Sequence, residues 1–118
     1  MNRIARPKLA VGKTRYGLML REDGIAMDDG TTARLGEHHY VMTTTTANAG
    51  PVFRHLEFCR QVLWPDLDVH LTSVTDAWAQ FSVAGPKARA VFEALTDDDV
   101  SAEALPFMSY IETTMAGV

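Results

Sequence analysis

Residues 14–46 read TRYGLMLREDGIAMDDGTTARLGEHHYVMTTTT, and the punctuation of this stretch decides the fold class. Thr14 to Arg21 is a short aromatic and aliphatic run that ends in Glu22-Asp23-Gly24, a turn signal. Ile25-Ala26-Met27, then Asp28-Asp29-Gly30, then Thr31 to Leu35 read as the two short runs of a hairpin or meander. Gly36-Glu37 marks the next turn, and His39 to Thr44 a further strand. Four consecutive threonines, Thr43 to Thr46, favour extended backbone because β-branching restricts χ1 in a helix.

Downstream, Val52, Leu56, Cys59, Val62 and Leu63 recur at three- and four-residue spacing and predict an amphipathic helix. Pro51 suits its first turn and Pro65 ends it, with Trp64 restricted by the ring that follows. Asp68 to Thr75 alternates through Val69 and Leu71. A second alternating run sets Ala77, Ala79, Phe81 and Val83 on one face, and the two predict a pair of strands. Gly85-Pro86 introduces a short helix from Lys87 to Leu95, and Tyr110 to Met115 predicts a closing strand. The order predicts an α+β fold, a mostly antiparallel sheet with two helices on one face. Residues 14–118 read as part of one domain after an N-terminal segment, 1–13. The last strand reaches Val118 without a closing element and reads as a cut inside a fold.

With 118 residues the chain suffices for one small core. A 47% apolar and 22% charged composition is that of a globular domain. No run approaches a bilayer span or a signal-peptide core, which predicts a cytoplasmic protein without membrane contact. The net charge of −4 argues against a nucleic-acid surface. Cys59, the single cysteine, sits at an apolar helical position and reads as a buried structural thiol.

Generic catalytic motifs are absent: there is no dinucleotide fingerprint, P-loop, nucleophile elbow or HExxH. His38 and His39 would point to opposite faces of a strand and so cannot both bind one metal there; no metal site is predicted. Asp97-Asp98-Asp99 reads as a solvated turn. Asp28-Asp29 admits two readings. Spacing alone favours a turn with an Asx hydrogen bond. On a strand, alternation would send one carboxylate inward, which is costly unless hydrogen bonds or a ligand meet it. Tyr16 and the threonine run could line a pocket or simply belong to core and edge.

Gly12 to Gly36 resembles the segment of the glycine-cleavage T-protein (aminomethyltransferase) family that carries its essential aspartate. HHYVMTTTTANAG, then Trp64 to Arg89, then Ala104 to Tyr110 resemble their counterparts in the same order, so the likeness runs from about Leu9 to Val118. RYGLMLREDGI, the TTTT run, WPDL and LTSVTDAWA look most like the folate domains within the alpha subunits of heterotetrameric sarcosine oxidases.

The resemblance implies a partial folate-binding domain with tetrahydrofolate as its cofactor. It implies that this domain accepts the one-carbon unit from oxidative demethylation of sarcosine, giving 5,10-methylenetetrahydrofolate. FAD, FMN and NAD would belong to other regions or subunits of such an enzyme, and the partners would be those subunits. The essential carboxylate falls on Asp29, with Tyr16, Tyr40, Met42 and Thr44 at folate-pocket positions. The family's Gly-Tyr-Thr-Gly-Glu-like block does not occur in the chain, which alone is expected to be inactive and to self-associate through sheet edges. The alternatives are a T-protein-like aminomethyltransferase and a non-catalytic folate-binding scaffold.

Overall fold

A computed structural model of the chain describes residues 9–118. Most of the expected N-terminal segment, residues 1–8, lies outside the described residues. Strands β1 (Thr14–Leu20), β2 (Ala26–Arg34) and β3 (Tyr40–Met42) pair in the order β1-β2-β3 as a small antiparallel sheet. Two α-helices follow, α1 (Ala49–Phe58) and α2 (Ala88–Glu93). The class is α+β, as the strand and helix periodicities require.

The first turn forms where Glu22-Asp23-Gly24 predicts it. The Arg21 and Ile25 backbones close it, with the Arg21 N–H donating to the Ile25 carbonyl at 2.9 Å. Gly24 takes φ 81°, a left-handed conformation in which a side chain would be strained. The Asp23 carboxylate accepts the Ile25 N–H at 3.0 Å, so the Asx bond falls here. It does not fall at Asp28-Asp29. That pair and Gly30 lie inside one uninterrupted strand, β2, which replaces the two short runs expected from Ile25 to Leu35.

By internal contacts the chain divides into two units. One comprises residues 9–15 of its N-terminal part, Thr32–Val41 and Ser82–Val118. Here Arg34 is the organising side chain. Its guanidinium donates to the carbonyls of Leu9, Gly36 and Glu37 at 2.9, 3.2 and 2.8 Å, and lies 5.6 Å from the Tyr40 ring centroid. Leu9 and Val100 are its buried apolar residues. The expected closing strand Tyr110–Met115 is not formed. An isolated antiparallel bridge between Lys13 and Ser109 stands at its threshold, and the Tyr110 N–H donates to the Gly12 carbonyl. The positive φ of Met108 (58°) turns the backbone before pairing can propagate.

The other unit comprises Tyr16–Thr31 and Met42–Phe81. Its core lies along α1 and the turn that follows, where Val52 is 1% exposed and Cys59 is buried, as the helical spacing predicts, whereas Val62 and Leu63 of the same expected face are exposed. After Phe58 the helix widens into a π turn, Cys59–Leu63, closed by the Trp64 N–H on the Cys59 carbonyl at 2.8 Å. Trp64 then leaves helical geometry (φ −136°, ψ 57°), as a residue before proline must.

The strands expected at 68–75 and 77–83 are absent from the structure. Alternation supplies a face to bury but no partner to pair with. Among the described residues no ladder runs alongside this stretch, and nearly all of 61–83 is exposed, Phe81 to 85%.

Candidate functional site

Strand alternation sends the two adjacent carboxylates of β2 to opposite faces. Asp28 turns inward and is 7% exposed, the one buried charged residue among those described. It accepts the Thr45 backbone N–H at 3.0 Å and, at a longer 3.5 Å, the Asn48 amide. The Thr45 hydroxyl, foremost, and these N–H donors hold the Asp28 carboxyl below its ordinary value of 3.8. A group whose pKa is lowered on folding stabilises the fold above its unfolded value, and that stabilisation disappears as pH falls through the folded value. The fold therefore loses stability as pH falls through the carboxylate range, a loss that a variant without this carboxylate does not share. Thermal midpoints followed from roughly pH 6 down to pH 2 should fall steeply in wild type and less steeply in Asp28→Asn.

Asp29 points the other way, half-buried, and meets β1. Its carboxylate accepts the Tyr16 hydroxyl at 2.5 Å, shorter than an ordinary O–H···O bond. That hydrogen bond, first of all, raises the Tyr16 pKa above its ordinary 10.0, with desolvation and the negative charge of Asp29 adding to it. Removing the carboxylate removes the cause. An absorbance titration of the three tyrosines should find Tyr16 ionising above the ordinary range in wild type. It should return toward that range in Asp29→Asn, while Tyr110, raised by its own burial and by Glu112, stays where it is.

The segment 43–48 carries the remaining partners. Thr43 brackets Thr31: its N–H and hydroxyl meet the Thr31 backbone at 2.9 Å, as donor to the carbonyl and acceptor from the N–H. Between these two residues and Asp28 lies Gly30, whose missing side chain permits the approach. A Cβ there would overlap the Thr43 backbone carbonyl. Thr44 is half-buried, and Met42 is exposed at 39%. Tyr40, in the other unit, is exposed at 42% against Arg34.

Of the residues singled out from sequence, Tyr16 and Asp29 thus form a direct pair. Strand alternation allows for one inward carboxylate and the threonine run for polar partners, but the sequence does not single out Asp28, Thr45 or Asn48. A glycine inside a strand was the available signal, since it marks a close backbone approach, but it reads equally as a turn. Among the described residues, His, Cys, Asp and Glu side chains do not gather in threes. The Cys59 thiol lies 3.5 Å from the His55 ring one helical turn earlier.

The Tyr16 hydroxyl directs its one proton at Asp29, so the pair presents acceptor oxygens, open to a ligand that carries N–H groups. Comparison with known proteins gives this arrangement a context. The model of the GCVT N-terminal domain matches residues 1–118, and the chain belongs to that family. It is 59% identical over 110 residues to the sarcosine oxidase subunit alpha of Rhizobium meliloti, covering 93% of this chain and 11% of that protein. It is 47% identical to the sarcosine oxidase subunit alpha of Corynebacterium sp. (strain P-1), covering 92% and 11%. It is 34% identical to an aminomethyltransferase of Exiguobacterium sibiricum, covering 94% and 29%. The chain therefore spans about a tenth of the length of the sarcosine oxidase subunits it matches. No helix among the described residues is long and apolar enough to cross a membrane.

Proposed function

We propose that this chain forms part of a tetrahydrofolate site that serves one-carbon transfer within a sarcosine oxidase alpha subunit. The observation that carries the proposal is the Tyr16–Asp29 pair, a half-buried carboxylate fixed by a 2.5 Å hydrogen bond at the position the family likeness assigns to its essential aspartate. The higher identity to sarcosine oxidase subunits than to the aminomethyltransferase favours the oxidase setting.

The donor set fits a reduced pterin. Asp29 accepts from N–H groups, Tyr16 offers an aromatic face, and Thr44 and Met42 offer a hydroxyl and a polarisable thioether. Tetrahydrofolate, when bound, supplies the nitrogens that receive the one-carbon unit. Asp29 holds the cofactor by its N–H groups and offsets positive charge that develops on nitrogen during transfer. Tyr16 keeps that carboxylate in one orientation. FAD, FMN and NAD belong to other regions or subunits, consistent with the length of the relatives. The exposed Trp64, Leu67, Val69, Trp78 and Phe81 would pack against those regions, or against a second copy in the isolated segment.

The test is catalytic capture. The full-length polypeptide, in its complex and supplied with sarcosine, should form 5,10-methylenetetrahydrofolate from tetrahydrofolate. Release of all the carbon as free formaldehyde, with tetrahydrofolate unchanged, would refute the proposal.

A further inference from the structure

Asn48 occupies the N-cap position of α1, where an asparagine side chain ordinarily accepts a backbone N–H of the first turn. It makes no such bond. Its amide instead donates to the Met27 carbonyl at 3.3 Å and to Asp28 at 3.5 Å. Asp28 in turn holds the Thr45 N–H, immediately before the Thr46–Asn48 3-10 turn that leads into the helix. The helix entrance therefore gives up a cap in order to grip β2, and it grips the residues on the N-terminal side of Asp29. Thr43 and Gly30 secure the C-terminal side, where bonds to Thr31 and the contact on the Thr43 carbonyl leave no room for slippage. Asp29 is the residue between the two clamps.

We propose that Asp28 is a positioning residue: clasped by Thr45 and Asn48, it fixes the height and rotation of β2 so that the Asp29 carboxylate is presented to the folate. The inference rests on the folate reading above and goes beyond it, because it assigns the neighbour of the essential carboxylate a task of its own. A buried carboxylate costs desolvation and persists only where its hydrogen bonds are worth that cost. A one-residue slip of a strand would send Asp29 to the opposite face, so the penalty for losing register is large. Small displacements of a reacting group from its productive position lower rates by large factors.

The experiment is a double-mutant cycle in the full-length polypeptide in its complex, read as kcat for formation of methylenetetrahydrofolate and as KM for tetrahydrofolate. Asp28→Asn alone should lower kcat roughly ten- to a hundredfold, with KM changed less. In the Asp29→Asn background the same substitution should lower kcat no further, because the group it positions is already gone. If Asp28→Asn is insoluble, Asn48→Ala replaces it in the cycle with the same expected pattern, since it removes the amide from both Met27 and Asp28. Equal losses in both backgrounds would overturn the inference, as would an unchanged kcat in the single variant, while leaving the folate reading intact. An unchanged yield in Asp29→Asn alone would instead refute the folate reading, and the inference with it.

Discussion

Asp29→Ala is expected to lower methylenetetrahydrofolate formation by about a hundredfold or more in the intact enzyme, while the flavin-dependent oxidation of sarcosine continues and formaldehyde is released instead. The magnitude follows from what one preorganised charged group contributes when it faces developing charge, roughly two to three powers of ten in rate. The direction follows from the geometry. No other carboxylate in this unit shares the Tyr16 partner, and Asp28 on the opposite face is occupied by Thr45 and Asn48. Asp29→Asn keeps the shape and an acceptor oxygen but not the charge, so the loss it causes separates orientation from electrostatic stabilisation. Product analysis of the carbon, as folate adduct or as free formaldehyde, checks the expectation directly.

Gly30→Ala should be the most damaging small substitution in the chain for stability. The added methyl would occupy the space of the Thr43 backbone carbonyl, and a backbone atom cannot swing aside as a side-chain end can. Relief requires β2 and the 43–48 segment to separate, breaking the Thr31–Thr43 bonds and loosening the Thr45 clasp on Asp28. Overpacking of this kind costs roughly 1–3 kcal/mol, and a backbone obstacle places it at the upper end. Gly17, in β1, is the control. A Cβ there meets nothing within 4 Å, so Gly17→Ala should be neutral or slightly stabilising in a strand. Urea unfolding of the 118-residue chain, followed by the fluorescence of Trp64 and Trp78, compares the three proteins.

These two expectations stand on features of different legibility. The hairpin at Glu22-Asp23-Gly24 and the helix carrying Val52 and Cys59 are local, written in turn residues and in a 3.6-residue period, and the structure forms both. The segment from Asp68 to Val83 alternates just as plainly and yet forms no strand. Pairing depends on a neighbour elsewhere in space, which no local pattern encodes. Asp28-Asp29-Gly30 failed as a turn for a related reason. Its residue types suit a turn, but β2 passes straight through because Thr45 and Asn48, about 20 residues later, satisfy the inward carboxylate. The choice of Asp29 as the functional member of the pair came from family likeness, whereas its place on the more open face came from the structure. Its partner, the Tyr16 hydroxyl thirteen residues earlier, became visible only once β1 and β2 lay side by side.

The most direct test of the central claim is equilibrium binding of tetrahydrofolate to the intact polypeptide by calorimetry, for wild type and for Asp29→Ala. The account predicts saturable binding in wild type and a marked loss of affinity in the variant, with the thermal unfolding of the two proteins nearly the same because Asp29 is half-exposed. Equal affinity in the two proteins, or no saturable binding in wild type, would contradict it.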